Sequence, residues 1–432
     1  MSFLWEDDVT SPQFPRLTRD ASADVLVIGG GMAGVLCAYT LKERGIKCLL
    51  VEAATLGSGI TRGTTAVLSA QHDTLYSDLV RSFGAEKAKE YLDANLKAVA
   101  QFRRMSEQIS CDFEKRPSVM YSLEDRELMK LEADTLQALG YPAEFLSETE
   151  LPLEIAGAVR YPDMAQFHPL KFLYGAAAGL NIYEHTFVRS VEDGVAFTDD
   201  GRIRAKSIIV ATHFPFINRR GLYFLKLFQM RSFVLALENV PLLQNTYVQN
   251  SGEGMYFRPY GNLLLVGGGD HRTGYKKGGF NAVRDFVHRY FPDGKEKYAW
   301  ATQDCMSLDG VPYIGRYSPA TPGLYVATGF NEWGMTSSMA AAQILADMIE
   351  GKKNPNASVF SPQRSMLQPQ LFKNLGATLC DFAIPTVRRC SHLGCALRWN
   401  RAEHTWDCPC HGSRYDRRGK LIDNPAMHDT RI

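Results

Sequence analysis

Cysteines and histidines near the C-terminus have a spacing that suits a metal or redox centre. Five of the nine cysteines lie between residues 380 and 410. The first group reads Cys390-Ser391-His392-Leu393-Gly394-Cys395, and the second reads Cys408-Pro409-Cys410-His411. In a chain expected in the cytoplasm, such a cluster indicates metal or redox chemistry before a disulfide framework. Zinc is the competing interpretation, although Cys-x-His followed by Cys-x-Cys-His is not a usual zinc-finger spacing.

A glycine-rich stretch near the N-terminus has the pattern of a nucleotide site. The apolar run Val25–Ile28 predicts a short buried strand, and Gly29, Gly31 and Gly34 follow it with G-x-G-x-x-G spacing. The first glycine allows a tight turn, the second admits a pyrophosphate, and the third lets the next helix pack closely. A second predicted strand ends at Glu52, which could accept from a ribose hydroxyl. The stretch predicts dinucleotide binding and leaves FAD and NAD open.

The loop after Glu52 is rich in glycine and hydroxyl residues. Such a loop can bring N–H and O–H donors against phosphates and a flavin ring. Its predicted cofactor contacts are Ser58, Thr61, Thr65 and Ala66. The alternative is a solvated turn.

A second strand, turn and helix lies at residues 324–350. The start of that helix would offer N–H donors and a positive dipole end to the negative charge that a flavin accumulates near N1 and O2 on reduction. This feature favours FAD over NAD, and the alternative is a structural strand–helix corner. The predicted contacts are Gly329, Gly334, Met335 and Thr336.

Composition is that of an ordinary soluble globular protein. The 432 residues suffice for two or three domains. Charged residues make up 22% and the formal net charge is +1, so neither nucleic acid nor a membrane surface is indicated as a partner. No apolar run is long enough to span a bilayer, and the N-terminus lacks the pattern of a signal peptide. We therefore expect a cytoplasmic protein.

The predicted elements alternate between two kinds. A helical pattern runs from Asp73, through Leu75, to about Gly140, and alternating segments between residues 229 and 266 predict an antiparallel sheet. Residues 352–366 are the predicted linker. The expected organisation is a body of residues 1–365, with a cofactor part at about 23–72, 160–215 and 300–352, a substrate part at about 73–159 and 216–299, and a small domain at 380–432.

The pieces of the body occur in an order that resembles the D-amino-acid-oxidase-like (glycine/sarcosine oxidase) superfamily of FAD-dependent oxidoreductases. The matching pieces are the glycine stretch with Glu52, the loop Ser58–Ala66, Leu308–Gly315, and Ala327–Thr336. The resemblance implies an α/β fold in which a Rossmann-like βαβ FAD domain is interleaved with a helical layer and an antiparallel-sheet substrate domain. It also implies FAD and hydride abstraction from a carbon that bears an amine.

The two cysteine–histidine groups resemble the boxes of Rieske iron–sulfur proteins. The resemblance implies a [2Fe-2S] cluster with one iron on Cys390 and Cys408 and the other on His392 and His411. It also implies that Cys395 and Cys410 form the disulfide found in many respiratory-type members. The small C-terminal β domain is incomplete, because fewer than thirty residues separate the linker from Cys390, where a Rieske domain has several strands.

The substrate contacts are the least defined part of the sequence. Many amino-acid oxidases of the superfamily hold the substrate carboxylate with an arginine shortly before the Asp-Gly-x-Pro-Tyr stretch, since a guanidinium binds a carboxylate in bidentate fashion. Gln303 and Asp304 occupy that approximate position here. Arg258 is the predicted substitute, and the alternatives for it are a surface residue or an ion-pair partner.

Together these resemblances predict an oxidoreductase with two cofactors. FAD would take two electrons from a small amine or amino acid derivative, and the cluster would pass them on singly, with a redox-partner protein as the further acceptor. Two alternatives stay open: an electron-transfer or redox-sensing protein without an organic substrate, and a plain oxidase with a vestigial Rieske tail.

Overall fold

The computed structural model describes residues 3–72, 76–251, 254–275 and 278–432. Its helices are α1 (Met32–Glu43), α2 (Tyr76–Phe83), α3 (Ala85–Ser106), α4 (Arg126–Ala138), α5 (Pro169–Ala177), α6 (Tyr223–Lys226), α7 (Phe280–Tyr290), α8 (Gly334–Ile349) and α9 (Pro369–Ala383). Its strands are β1 (Ala21–Ile28), β2 (Cys48–Val51), β3 (Val67–Leu68), β4 (Glu114–Lys115), β5 (Ser118–Ser122), β6 (Glu144–Leu146), β7 (Gly157–Tyr161), β8 (Ala165–Gln166), β9 (Ile182–Tyr183), β10 (Val188–Glu192), β11 (Val195–Thr198), β12 (Arg202–Val210), β13 (Phe228–Glu238), β14 (Thr246–Gln249), β15 (Tyr256–Tyr260), β16 (Leu263–Arg272), β17 (Lys295–Met306), β18 (Tyr313–Arg316), β19 (Leu324–Thr328), β20 (Arg398–Asn400), β21 (Thr405–Asp407), β22 (Arg414–Tyr415) and β23 (Leu421–Asp423).

The first sheet is centred on β1, with β2 and β12 parallel to it on either side. β19 continues the parallel set beside β12, and β9 beside β2. The four apolar residues that end β1 are all buried, as expected where helices cover a parallel sheet. α1 follows β1 directly and packs against α8. The predicted α/β fold with a βαβ unit is confirmed.

The second sheet has the order β17-β13-β16-β15-β14-β5-β7-β6 and is antiparallel except at β14 and β5. The segments predicted between residues 229 and 266 form β13 to β16 in this sheet. β17 pairs with β13 as far as Met306. The antiparallel sheet therefore extends beyond residue 299, where we placed its boundary.

The helical layer is interrupted, and the prediction of a continuous helical pattern is wrong. α2, α3 and α4 lie in the predicted segment, but so does β5, which pairs in parallel with β14 and antiparallel with β7. All five residues of β5 are buried, and the sheet pairing on both sides overrides the helical pattern around it. Asp73 and Leu75, with which the predicted pattern begins, lie outside the described residues.

Residues 352–366 contain neither helix nor strand, as expected of a linker, but they are fixed to the body. Arg364 forms two hydrogen bonds of 2.6 Å with the Asp309 carboxylate, and Phe360 is buried. The tail (residues 366–432) then forms α9 and the antiparallel sheet β20-β21-β22-β23. Within the part of the chain that the structure describes, none of the helices is of a length and hydropathy that could cross a bilayer.

Candidate functional site

The main cavity of about 540 Å³ opens where β1, β2 and β12 end. In parallel sheets, ligands bind at the carboxyl ends of the strands. The volume falls in the range of small-molecule and cofactor sites. Eight of the predicted cofactor contacts line this cavity: Gly29, Gly31, Glu52, Ser58, Thr61, Thr65, Gly334 and Met335.

The three glycines of the first turn have different roles. Gly29 has φ +114°, and a Cβ there would lie 2.4 Å from the Ala211 oxygen. A Cβ on Gly34 would lie 1.8 Å from the Gly29 oxygen, so both positions are required by backbone packing. Among the described residues, a Cβ on Gly31 would meet only Thr61 Oγ1, at 3.3 Å. Gly31 therefore leaves space for a ligand at the start of α1, as a pyrophosphate of FAD requires.

Glu52 lies on the wall of the cavity and is held by main-chain donors. Its carboxylate accepts from Gly30 N at 2.6 Å and from Ala54 N at 2.8 Å. Burial raises the pKa of Glu52, and these two hydrogen bonds oppose that rise. The side chain is thereby fixed at the position predicted for a ribose contact, and we retain that assignment as a proposal.

Four of the predicted contacts do not line the cavity: Gly34, Ala66, Gly329 and Thr336. The Thr336 hydroxyl donates to Ser69 O and lies 3.1 Å from His72 Nε2. The His72 ring is stacked on Trp333, which does line the cavity. Thr336 thus supports the cavity wall from behind rather than facing a ligand.

Arg258 is not a surface residue, and it forms no ion pair with any residue that the structure describes. It is 1% exposed, and its guanidinium donates to the main-chain oxygens of Thr65 and Phe167 and to Gln166 Oε1. Burial lowers its pKa to about 9. These contacts tie the loop at Thr65 to the second sheet. Arg258 also lines the main cavity, and its contact with a substrate carboxylate stays a prediction.

In the tail, the two cysteine–histidine groups form similar loops that face each other. In the first loop, Cys390 N donates to Cys395 O at 2.9 Å, and in the second, Cys408 N donates to Ser413 O at 2.8 Å. A hydrogen bond with Cys408 lowers the pKa of Cys390 to about 6, and the same contact, with burial, raises the pKa of Cys408. A thiolate therefore forms near neutral pH, and the thiolate is the form that binds metal.

The two histidines present the atoms that a metal needs. Their ring centroids are 4.8 Å apart, and both Nδ1 atoms are buried without a hydrogen-bond partner among the described residues. His392 Nε2 donates to Asn218 Oδ1 at 2.9 Å, and His411 Nε2 donates to Phe224 O at 3.0 Å. A proton on each Nε2 leaves a lone pair on each Nδ1. Burial lowers the two pKa values to about 4 and 3, so both rings are neutral ligands.

The remaining two cysteines are bonded to each other. Cys395 and Cys410 form a disulfide between the two loops. Their sulfurs and that of Cys408 lie within 4.8 Å of one another, but disulfide sulfurs are not available as thiolates. The donor set that fits a Rieske cluster is therefore Cys390, Cys408, His392 and His411, which we retain as a proposal.

The body supplies the support that the short tail lacks. Gln229 Nε2 donates to His411 O at 2.8 Å, and Gln303 Nε2 donates to Gly412 O at 3.0 Å. The Arg272 guanidinium donates to the oxygens of Pro409 and Cys410, at 3.0 and 3.1 Å. Gln229, Arg272 and Gln303 belong to β13, β16 and β17, so the second sheet of the body carries the second cluster loop.

The site also contains residues that sequence analysis did not select. His213 lines the main cavity, and its Nε2 donates to Gln229 Oε1 at 3.2 Å. The neighbouring Phe214 is fully buried, with ring centroids 6.3 and 6.1 Å from those of His392 and His411. His213 and Phe214 closely follow the end of β12, a strand of the parallel sheet, and that position was the available signal. Residues 421–424, 426 and 427 of the tail also line the cavity.

Comparison with known proteins agrees with this geometry. The family model described as FAD dependent oxidoreductase (DAO) matches residues 24–348. The chain belongs to the DAO family of FAD-dependent oxidoreductases. The model of the Rieske [2Fe-2S] domain matches residues 383–432. FAD and a Rieske [2Fe-2S] cluster are accordingly the cofactors of this DAO-family chain.

Three relatives show how far the likeness extends. The "Putative Rieske 2Fe-2S iron-sulfur protein YhfW" of Bacillus subtilis (strain 168) is 32% identical, over 98% of this chain and 96% of that protein. Glycine oxidase of Geobacillus kaustophilus is 26% identical over 76% of this chain and 93% of its own, and its crystal structure superposes with a TM-score of 0.68. The cytochrome b6-f complex iron-sulfur subunit 1 of Nostoc sp. is 50% identical over 48 residues, 11% of this chain and 26% of that protein.

Proposed function

We propose that this DAO-family chain oxidises a small amine and passes the electrons to the Rieske cluster of its own tail. When bound, FAD supplies two-electron chemistry and a Rieske cluster supplies one-electron chemistry. The relative whose name gives glycine as its substrate aligns along the body, and this supports an amine as the substrate class. The tail supplies an acceptor within the same chain.

The observation that carries this proposal is a short chain of contacts: the cavity residue His213 donates to Gln229, and Gln229 donates to His411 O. Phe214 directly follows the cavity residue His213, and its ring centroid lies 6.3 and 6.1 Å from those of His392 and His411. Asn424 of the tail donates to Thr212 O at 2.6 Å and to Phe214 O at 3.0 Å. The tail and the body are thus hydrogen-bonded to each other beside the main cavity.

The test begins with the composition of the purified protein. We expect an iron to FAD ratio of about two, because the cluster holds two irons. Under anaerobic conditions, a panel of small amines is mixed with the protein while flavin absorption and the EPR signal of the reduced cluster are followed. The proposal requires that an amine bleach the flavin and that the EPR signal grow afterwards.

Variants separate the two electron-transfer events. In His392→Ala and Cys408→Ser, flavin bleaching should persist while iron content and EPR signal are lost; His428→Ala, an exposed tail histidine, serves as the control. If no amine bleaches the flavin but a reductase does, the protein is an electron carrier. Peroxide formation that is unchanged in His392→Ala would instead identify a plain oxidase, and stoichiometric zinc without iron would refute the cluster.

A further inference from the structure

The sheet of the tail carries a row of aromatic side chains that begins at a proposed cluster ligand. Trp399 pairs with Trp406 across β20 and β21, and Trp406 pairs with Tyr415 across β21 and β22. Directly paired residues project on the same face of a sheet. The Tyr415 hydroxyl lies 3.2 Å from Cys390 Sγ, and the two tryptophan ring centroids are 5.1 Å apart. The row therefore leads from Cys390 toward the outside.

The outer end of the row is a surface of alternating arginine and tryptophan. The guanidinium carbon of Arg388 lies 4.7 Å from the ring centroid of Trp406, and that of Arg417 lies 5.9 Å from that of Trp399. Both arginines are exposed and both tryptophans are half-buried. Neither arginine forms an ion pair with any residue that the structure describes. We call these four residues the Arg–Trp surface.

The tail has more basic than acidic residues, and most of its acidic residues are paired internally. Residues 366–432 carry ten Lys and Arg against six Asp and Glu, whereas residues 1–365 carry 38 against 41. Four of the six acidic residues of the tail are engaged internally: Asp381 pairs with Arg398, and Glu403, Asp407 and Asp423 pair with Arg414. The charge offered to solvent by the tail is therefore positive, which favours an acidic partner.

The histidine side of the cluster site is covered by the body. His392 Nε2 is bonded to Asn218 and His411 Nε2 to Phe224, and the Phe214 ring contacts both imidazoles. The body therefore takes up the Nε2 hydrogen bonds of both histidines while the tail is seated in this way. The histidine side thus faces the main cavity, and the aromatic row from Cys390 leads to solvent on another side.

We propose that the Arg–Trp surface is the docking site of an acidic protein that accepts single electrons. This inference rests on the proposed function, since it takes the cluster as the point from which electrons leave the chain. Each encounter moves one electron to the acceptor, without transfer of a proton or a group. The two electrons from one substrate molecule thus reduce two acceptor molecules in turn.

A pair of matched acceptors tests the surface. Cytochrome c carries a Met/His-ligated haem of raised potential, and its succinylated form has carboxylates in place of lysine charges. Binding to the complete, oxidised protein is measured by calorimetry at low and high ionic strength. Succinylated cytochrome c should bind at least about tenfold more tightly than the unmodified form, and added salt should weaken it.

Charge reversal locates the contact. Arg388→Glu combined with Arg417→Glu should abolish the preference for the succinylated form. The control reverses the charge of Arg202 and Arg289, two exposed arginines of the body that also lie over aromatic rings. It should leave the preference for succinylated cytochrome c unchanged. Trp399→Leu, which removes the outer ring of the aromatic row, should slow the reduction of succinylated cytochrome c severalfold.

Three results would overturn the docking site. The first is that the two cytochromes bind equally tightly. The second is that the preference for the succinylated form survives the double reversal. The third is that the protein shows no preference between the cytochromes but binds anionic phospholipid vesicles, and that the double reversal removes this vesicle binding. The calorimetry uses no substrate and no turnover. A failure of the amine to reduce the cluster would therefore refute the proposed function while leaving the measured binding intact.

Discussion

The Gln229 side chain of the body donates a 2.8 Å hydrogen bond to the main-chain oxygen of His411 in the tail. The same amide accepts from His213, which lines the main cavity. One side chain therefore contacts both the cavity wall and the loop that carries two proposed cluster ligands. A Cβ on Gly412 would lie 2.7 Å from Gln229 Cβ, which shows how closely this loop is seated.

Gln229→Ala should slow electron transfer from flavin to cluster without changing the oxidation of substrate. Removing the amide leaves His411 O without this donor and releases the second cluster loop from β13, at a cost of about 1–3 kcal/mol. We expect anaerobic flavin bleaching at the wild-type rate and growth of the cluster EPR signal at least about tenfold slower.

Gln137→Ala is the matched control for this change. Gln137 also donates a 2.8 Å hydrogen bond to a main-chain oxygen, that of Ala143, but within the body and away from the cavity. Its loss should leave both rates unchanged. Equal rates in wild type and Gln229→Ala would show that the amide has no part in joining the two cofactors.

The local chemistry of the site was predictable, because it depends on residue types at fixed spacing. The two loops at Cys390 and Cys408 could be predicted from the spacing of the cysteines and histidines that they carry. The turn at Gly29 could be predicted because its backbone conformation is one that only glycine adopts easily. β5 was missed because its partners β7 and β14 lie far along the chain, and strand preference depends on such partners.

The seating of the tail on the body could not be predicted. Gln229, Arg272 and Gln303 donate to main-chain oxygens, which every residue type offers, so no pattern in the tail marks its partners. The tail therefore looked incomplete in sequence, whereas in the structure three strands of the second sheet hold its second loop.

Gly31→Ala should weaken FAD binding while preserving the fold. Of the residues that the structure describes, the new methyl group meets only Thr61 Oγ1, at 3.3 Å, but it occupies the space left for the pyrophosphate. We expect at least about a tenfold loss of affinity, or about 1.4 kcal/mol, when apoprotein is titrated with FAD. The thermal midpoint of the apoprotein should not change.

Substitutions at two further glycines serve as controls for this result. Gly376→Ala, in α9 with open space at its Cβ, should bind FAD as the wild type does. Gly29→Ala should fail to fold, because of its φ of +114° and the 2.4 Å approach to Ala211 O. Unchanged FAD affinity in Gly31→Ala would mean that the phosphates lie elsewhere in the cavity.

Acid should loosen the tail from the body through Glu403. Burial tends to raise the pKa of this carboxyl, but the guanidinium groups of Arg231 and Arg414 outweigh it and hold the pKa below its ordinary value of 4.5. Its contribution is therefore complete above pH 4.5 and is lost as the pH falls through the lowered pKa. Hydrogen exchange at the amides of β21 and β22 should accelerate over that range.

Glu403→Ala removes one partner of a buried ion pair and should cost about 3–5 kcal/mol of protection at those amides at pH 7. Glu296→Ala breaks the exposed pair with Arg284 and should cost no more than about 1 kcal/mol. Amides of the tail that exchange equally in the two variants would show that the buried pair does not hold the tail.

Tyr415→Phe should lower the reduction potential of the cluster. The Tyr415 hydroxyl lies 3.2 Å from Cys390 Sγ and also 3.1 Å from Ser391 Oγ. Hydrogen bonds to the sulfurs of an iron–sulfur cluster stabilise its reduced, more negative state. A hydrogen bond worth about 1.4 kcal/mol corresponds to about 59 mV for one electron, so redox titration followed by EPR should show a fall of that order.

Tyr298→Phe, which removes a hydroxyl bonded to Asp7 in the body, should leave the potential unchanged. A potential that is equal in Tyr415→Phe and wild type would place the cluster away from Cys390 and contradict the proposed ligand set.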